Sequence, residues 1–161
     1  EYFTEYATRR DGISLVLAGP AKLRVPAHPR IRALGYVADE VRGALLAHAT
    51  VLVVPSPYES LSIALLEGWN HAVPALVNAR CKVLDGQIRR GDGGLSFRTS
   101  AEFQEALDFL LRHPDERATI GRQGLAFVER EYRWPIVLER TGRLLAEALA
   151  ARAVAKPRTA S

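Results

Sequence analysis

Residues 50–78 read TVLVVPSPYESLSIALLEGWNHAVPALVN. The first run, TVLVVPS (50–56), has the length and β-branched content of a buried strand and ends among prolines at 55 and 57. SLSIALLEGWNHA (60–72) is long enough for a helix, and VPALVN (73–78) returns as a short strand. Apolar strands joined through a helix are the unit of a parallel sheet, because parallel neighbours need a crossover rather than a tight turn. Two carboxylates mark the unit: Glu59 stands just before the helix and Glu67 eight residues later, inside an otherwise apolar run. A carboxylate in such a run needs a charge-assisted partner, either an arginine of the chain or the hydroxyls of a ligand.

The same alternation extends in both directions. Residues 1–10 carry Tyr2, Phe3 and Tyr6 at helical spacing, with Arg9 and Arg10 suited to a last turn. ISLVLAGP (13–20) and IRALGYV (31–37) read as strands, and ADEVRGALLAHA (38–49) as an amphipathic helix with an acidic start. The basic stretch 79–94 reads as an irregular loop and 95–97 as a last strand. Helices are expected near 100–112, 115–131 and 134–151, with a disordered tail over 152–161. The expected fold is therefore α/β: a Rossmann-like, doubly wound parallel sheet with helices on both faces. Ligands bind such sheets beyond the carboxyl ends of the strands.

In that setting the first amides of the helix after strand 50–56 lack intrahelical acceptors. A helix starting near Ser60 offers the amides of Ser60, Leu61, Ser62 and Ile63 to an anion, most naturally a diphosphate. Glu67 then lies two turns beyond Glu59, ~12 Å at 1.5 Å per residue. That is too far for the carboxylate pair of a glycosidase, which sits about 5–9.5 Å apart. It suits a nucleotide sugar, which carries hydroxyls at both ends of a diphosphate.

Composition sets wide bounds. The chain has 161 residues, 48% apolar and 25% charged, as in soluble globular domains. Its net charge of +4 is too small and too scattered to argue for a nucleic-acid partner. One cysteine, Cys81, allows no internal disulfide and fits a reducing compartment, and no apolar run is long enough to span a bilayer. The expected location is cytoplasmic, with a peripheral position at an inner membrane face compatible with the basic charge. The sequence has no methionine and starts at Glu1, which suggests a piece of a longer chain.

PSPYESLSIALLEGW (55–69) resembles the E-x7-E segment of the family 4 (group 1) retaining GT-B glycosyltransferases, whose members typically read P-S-x-x-E-G/S-F-G-L/I-x-x-L-E-A. The resemblance continues through LVLAGP, LGYVADEVRGALLAHATVLVVPS, AVPALVN, GDGGLSF and GRQGLAFVEREYRW in the same order. It implies a nucleotide-sugar-binding domain over residues 1–151, the C-terminal half of a GT-B fold, lacking its first strand and the N-terminal acceptor domain. It further implies hexosyl transfer from a nucleotide-diphosphate sugar with retention of configuration and without a metal ion or other cofactor. Glu59 would contact the donor sugar as the catalytic carboxylate, and Glu67 the ribose. Ser60, Leu61, Ser62 and Ile63 would meet the diphosphate or sugar, and Tyr36 and Val37 would line the base. Ser62 stands where many members carry Gly, and Leu61 where they carry Phe. The family's basic pair for the diphosphate belongs upstream of residue 13, and Arg9 and Arg10 do not match its context. The fragment alone is expected to be inactive, and its acceptor, lipid-linked or polysaccharide, would be chosen by the absent half.

Plainer readings stand beside these. Glu67 has a second reading as a structural carboxylate held by an arginine, and Glu59 as a helix-dipole partner. Arg80, Lys82, Arg89 and Arg90 read first as a solvated loop and second as an anion contact; Arg42 and Glu40 read as a solvated helix face. Asp92-Gly93-Gly94 reads as a turn, Cys81 as a core or loop thiol, and Trp69 and Trp134 as core or domain-packing residues. The histidines at 28, 48, 71 and 113 lack metal-ligand spacing, and His71 follows the motif helix towards the crevice. At the level of function the alternatives are a GT-B nucleotide-sugar epimerase half and a non-catalytic nucleotide- or partner-binding module.

Overall fold

The computed structural model describes residues 1–21 and 23–155. Five strands alternate with helices through the first hundred residues: α1 (Tyr2–Ala7), β1 (Leu15–Ala18), β2 (Ile31–Gly35), α2 (Asp39–Ala47), β3 (Leu52–Val54), α3 (Ile63–Asn70), β4 (Ala75–Asn78), α4 (Lys82–Gly91) and β5 (Gly94–Phe97). Three helices complete the chain: α5 (Ser100–Arg112), α6 (Pro114–Glu131) and α7 (Trp134–Ala155). Every strand pairing among the described residues is parallel; helices α3 and α4 make the crossovers between β3, β4 and β5, while β2 follows β1 with no helix described between them.

The strands form two sheets rather than the single one expected. β1 pairs with β2, and β3, β4 and β5 pair in that order. The two differ in depth. β4 is buried at Ala75, Leu76 and Val77, whereas β1 alternates half-buried with exposed residues and β2 is exposed at Arg32, Ala33 and Leu34, leaving Val16 and Leu34 open. Two apolar clusters flank the three-stranded sheet. One gathers Leu65 and Trp69 of α3, Leu84 and Ile88 of α4 and Phe127 of α6; the other gathers Tyr6, Leu76, Phe97, Phe103 and Leu107.

Residues 82–91, expected as irregular loop, form α4. Leu84, Gln87, Ile88 and Gly91 recur at helical spacing and are buried, while Arg89 and Arg90 occupy the last turn, where cations suit the macrodipole. Asp92 closes the helix in a left-handed conformation (φ 47°), so the chain turns at Asp92 and Gly93, and Gly94 of the expected turn already belongs to β5. Arg9 and Arg10 lie beyond α1, which ends at Ala7. Arg10 instead pairs with Asp108 of α5 at 2.7 Å, and the buried Tyr6 hydroxyl donates to the same carboxylate. The Arg10 hydrogen bond holds Asp108 below the usual carboxylate range, and burial, reinforced by Asp108, pushes the Tyr6 phenol up to about 12. α7 runs to Ala155, so residues 152–155 of the expected tail are helical and the rest lies outside the described residues. Trp69 is fully buried; Trp134 is exposed, against the core reading. No helix among the described residues is long and apolar enough to cross a membrane.

Candidate functional site

β3 and β4 are parallel neighbours, so the loops leaving their carboxyl ends, 55–62 and 79–81, emerge on the same edge of the sheet. They are tied to each other. Asn78, the last residue of β4, donates from Nδ2 to the Pro55 carbonyl (3.0 Å) and accepts from the Arg80 amide at Oδ1 (3.0 Å). Within the first loop the Tyr58 amide donates to Ser56 Oγ, and that hydroxyl donates to the Tyr58 carbonyl (2.7 Å), a local turn of the kind serine favours. Further on, Gln87 of α4, fully buried, donates from Nε2 to the Leu61 carbonyl (2.8 Å). Between the loops lies a groove of about 660 Å³, with Tyr58, Glu59 and Ser60 on one wall and Arg80, Cys81 and Lys82 on the other.

α3 starts at Ile63, three residues later than the apolar run suggests. Ser60 and Leu61 therefore belong to the loop, and the ~12 Å helical span between Glu59 and Glu67 does not apply, since the 1.5 Å rise holds only from Ile63 onward. The amides without intrahelical acceptors are those of Ile63 and the residues next to it. Glu59 is half-buried and stands four residues ahead of the helix, so it is not a first-turn residue of α3. His71 caps the far, carboxyl end of α3 and is not among the residues that line the groove.

The late start has a physical cause at Ser62. This residue is the N-cap, sits at φ 59° and ψ 79°, and is 6% exposed. A left-handed backbone is easy for glycine and costs an ordinary L-residue roughly 1–2 kcal/mol. That explains why the resembling family carries Gly at the matching position. Its Oγ is buried and has no hydrogen-bond partner among the described residues, so the side chain does not recover the cost within the chain. Ser62→Gly is expected to stabilise the domain by about 0.5–1 kcal/mol, relief of strain outweighing the extra freedom of glycine in the unfolded chain. Denaturant midpoints check this; a loss of stability would show that the Ser62 hydroxyl contributes to the fold.

Glu67 is not buried. Its side chain is 32% exposed and pairs with Arg42 Nη2 of α2 at 3.1 Å. Arg42 also reaches Asp39 at 3.2 Å, so it is an organised residue rather than part of a free helix face. The bond ties α2 to α3. It thereby sets α2, preceded by Tyr36 (exposed) and Val37 (half-buried), beside α3; neither these residues nor Glu67 line the groove. Leu61 and Ile63 are exposed at the start of α3. Cys81 is buried among the apolar residues behind the second wall. No group of three or more His, Cys, Asp or Glu side chains among the described residues is arranged to hold a metal ion. Sequence reasoning missed Asn78 and Gln87, the two side chains that fix the loop; their partners lie 23 and 26 residues away, and no local pattern announces them.

No curated protein matches the chain. Among solved structures it is similar to sucrose-phosphate synthase from Thermosynechococcus elongatus, with a TM-score of 0.77 at 20% identity. The match covers 93% of this chain and 42% of the synthase, so the chain spans less than half the length of that protein. At that identity the likeness concerns the fold, an α/β arrangement of parallel strands and flanking helices matching the GT-B glycosyltransferases. The profile of the family described as "Glycosyl transferases group 1" matches residues 2–113, more than two thirds of the sequence. The chain belongs to the group 1 glycosyl transferases.

Proposed function

We propose that this chain is the donor-binding half of a retaining, family 4 glycosyltransferase that takes a hexosyl group from a nucleotide-diphosphate sugar, with Glu59 and Glu67 as its E-x7-E pair. The observation that carries the reading is the groove at the carboxyl edge of β3 and β4, lined by Glu59 and Ser60 and followed by the free amides at the start of α3; Glu67 lies one turn further along that helix, outside the groove. In this reading the diphosphate lies against the amides of Ser62 and Ile63, with Ser60 and Leu61 beside it. Glu59 accepts hydrogen bonds from the sugar, Glu67 accepts them from the ribose, and Tyr36 and Val37 flank the base.

The chemistry asked of this half is positioning and charge stabilisation. The bond from the anomeric carbon to the diphosphate breaks, the departing oxygens gain charge beside the helix start, and the acceptor hydroxyl oxygen forms the new bond while its proton passes to the departing diphosphate. No metal or other cofactor is assigned a step. The acceptor, lipid-linked or polysaccharide, would be held by an N-terminal domain, in the cytoplasm or at the inner membrane face, and the 161-residue chain alone would not turn over. No nucleic acid takes part.

The test is a thermal-shift panel with UDP, GDP, ADP and their sugars. Stabilisation by one nucleotide is expected, and it should vanish in Glu67→Ala, since a charge-assisted hydrogen bond to ribose is worth about 1.5–3 kcal/mol. No response to any nucleotide would count against donor binding. The Arg42 ion pair favours a second reading of Glu67, as a carboxylate that docks α2 on α3. That role alone would make Glu67→Ala lower the ligand-free midpoint while leaving the nucleotide response intact. A pair this exposed is worth at most about 1 kcal/mol to stability, so the two readings separate cleanly.

A further inference from the structure

β1 and β3 have the composition of interior strands but stand at the edges of their sheets. Both are wholly apolar, LVLA (15–18) and LVV (52–54), as in strands buried on both faces. Yet β1 pairs only with β2, and β3 only with β4. The charge that guards a sheet edge is on β2, which carries the exposed Arg32; neither β1 nor β3 has a charged residue or a proline. An apolar edge without such a guard is a template for another strand.

The two free edges belong to one opening. Successive residues of a strand send their amides to opposite edges. Leu15 donates to the Arg30 carbonyl on the β2 side (2.8 Å), and Leu52 to the Pro74 carbonyl on the β4 side (3.0 Å). Val16 and Val53 therefore direct their amides to the edges that have no partner strand among the described residues. On one face of the sheet Ile13, just ahead of β1, packs on the same cluster as Val51 and Val53, with Tyr6 of α1 and Phe103 of α5. On the other face Arg42 of α2 bonds Glu67 of α3. β1 and β3 thus share neighbours on both faces without pairing, the relation of strands one position removed rather than adjacent.

The hand of the connections agrees. α3 and α4 lie on one face and carry the chain from β3 to β4 to β5 in one direction. A crossover that advances the opposite way keeps the right hand only on the opposite face. α1, which leads into β1, lies on that opposite face, with Tyr6 in the second cluster. A strand between β3 and β1, followed by α1, would complete a right-handed unit. It would also join the two sheets into one with the strand order of a six-stranded doubly wound sheet.

We infer that the opening between β1 and β3 takes one extended apolar segment of about five residues as a strand parallel to both, leading directly into α1. Backbone pairing with Val16 and Val53 holds the segment, and its alternate side chains meet the apolar clusters on the two faces. The inference stands apart from the donor reading and uses none of its residues' chemistry.

The experiment extends the 161-residue chain ahead of Glu1 by the sequence TVLVV and a Gly-Ser turn, with an equally long Gly-Ser extension as control. The apolar extension should raise the thermal midpoint by about 5 °C or more over the control. Val16→Pro removes an amide that faces the opening, at an edge where proline is tolerated, and should abolish that gain. Val53→Pro asks the same of the facing edge, should the first variant fail to fold. An extension no better than the control, or a gain that persists in both proline variants, would overturn the inference. So would a chain that is dimeric by light scattering, loses the dimer in Val16→Pro and gains nothing from the extension, because the edge would then belong to a second copy. Every readout is ligand-free, so failure here leaves the donor reading standing, and failure of nucleotide binding leaves this inference standing.

Discussion

Trp69→Ala is expected to cost about 4–5 kcal/mol, a large share of the 5–15 kcal/mol that holds a domain of this kind together. Trp69 is fully buried, its indole meets Phe127 edge to face at 5.6 Å, and Nε1 donates to the Gly93 carbonyl at 2.7 Å. Two glycines lie under the ring. A Cβ on Gly93 would fall 2.4 Å from Nε1, and one on Gly124 would fall 2.4 Å from Cδ1. The indole is therefore the wedge between α3, α6 and the start of β5, and truncating it leaves a cavity walled by backbone that cannot collapse. Trp69→Phe, which keeps an aromatic body but abandons the Gly93 carbonyl, should lose about half as much. Urea unfolding followed by circular dichroism checks both, and a loss below about 2 kcal/mol for the alanine variant would contradict the wedge. Fluorescence offers a second reading: Trp134 is exposed, so in a Trp134→Phe background the emission reports Trp69 alone and should be that of a dry indole.

Gly121→Ala should cost about 3 kcal/mol, at the upper end for overpacking, through contact with backbone rather than with a yielding side chain. The added Cβ would lie 2.0 Å from the Ala72 carbonyl oxygen and 2.9 Å from its carbon. Ala72 itself is held at φ 55° in the turn between α3 and β4, so retreat on that side means disturbing an already strained residue. Gly142 supplies the control. It lies in α7 with nothing within 4 Å of its Cβ position, and Gly142→Ala should gain up to about 1 kcal/mol from helix propensity alone. Opposite signs in thermal denaturation are the expected result; the same sign at both positions would mean that α6 can slide away from Ala72.

The order of strands and helices was legible because each apolar run is bounded by Gly, Pro or a charged turn. β5, α5 and α6 fall within a residue or so of where spacing puts them. α4 was hidden by composition: four basic residues over 80–90 read as a loop, while the buried face at 84, 87, 88 and 91 includes a glutamine and a glycine that a hydrophobicity count passes over. Ser62 shows the opposite case. The apolar run suggested a start near Ser60, and the left-handed backbone at Ser62, which no local pattern announces, delays it to Ile63. The division into two sheets, and the reach of Arg42 to Glu67 across 25 residues, depend on tertiary pairing that no local window contains. For the proposed site, the eight-residue step singled out Glu59 and Glu67, but the helical span inferred from it fails because α3 starts at Ile63. The hydrogen bonds from Asn78 and Gln87 that shape the loop between β3 and α3 were not legible.

The separation of β1–β2 from the larger sheet has a consequence for amide hydrogen exchange. β1 and β2 pack chiefly on each other and contribute few buried side chains, and α2 contributes no fully buried residue. Their amides should exchange through a sub-global opening well below the free energy that governs β4, which has neighbours on both edges. The element bearing Tyr36, Val37 and Arg42 is thus the least protected part of the proposed donor crevice. A nucleotide clasped between it and α3 would slow exchange there first, long before any change reached the protected strands of the larger sheet.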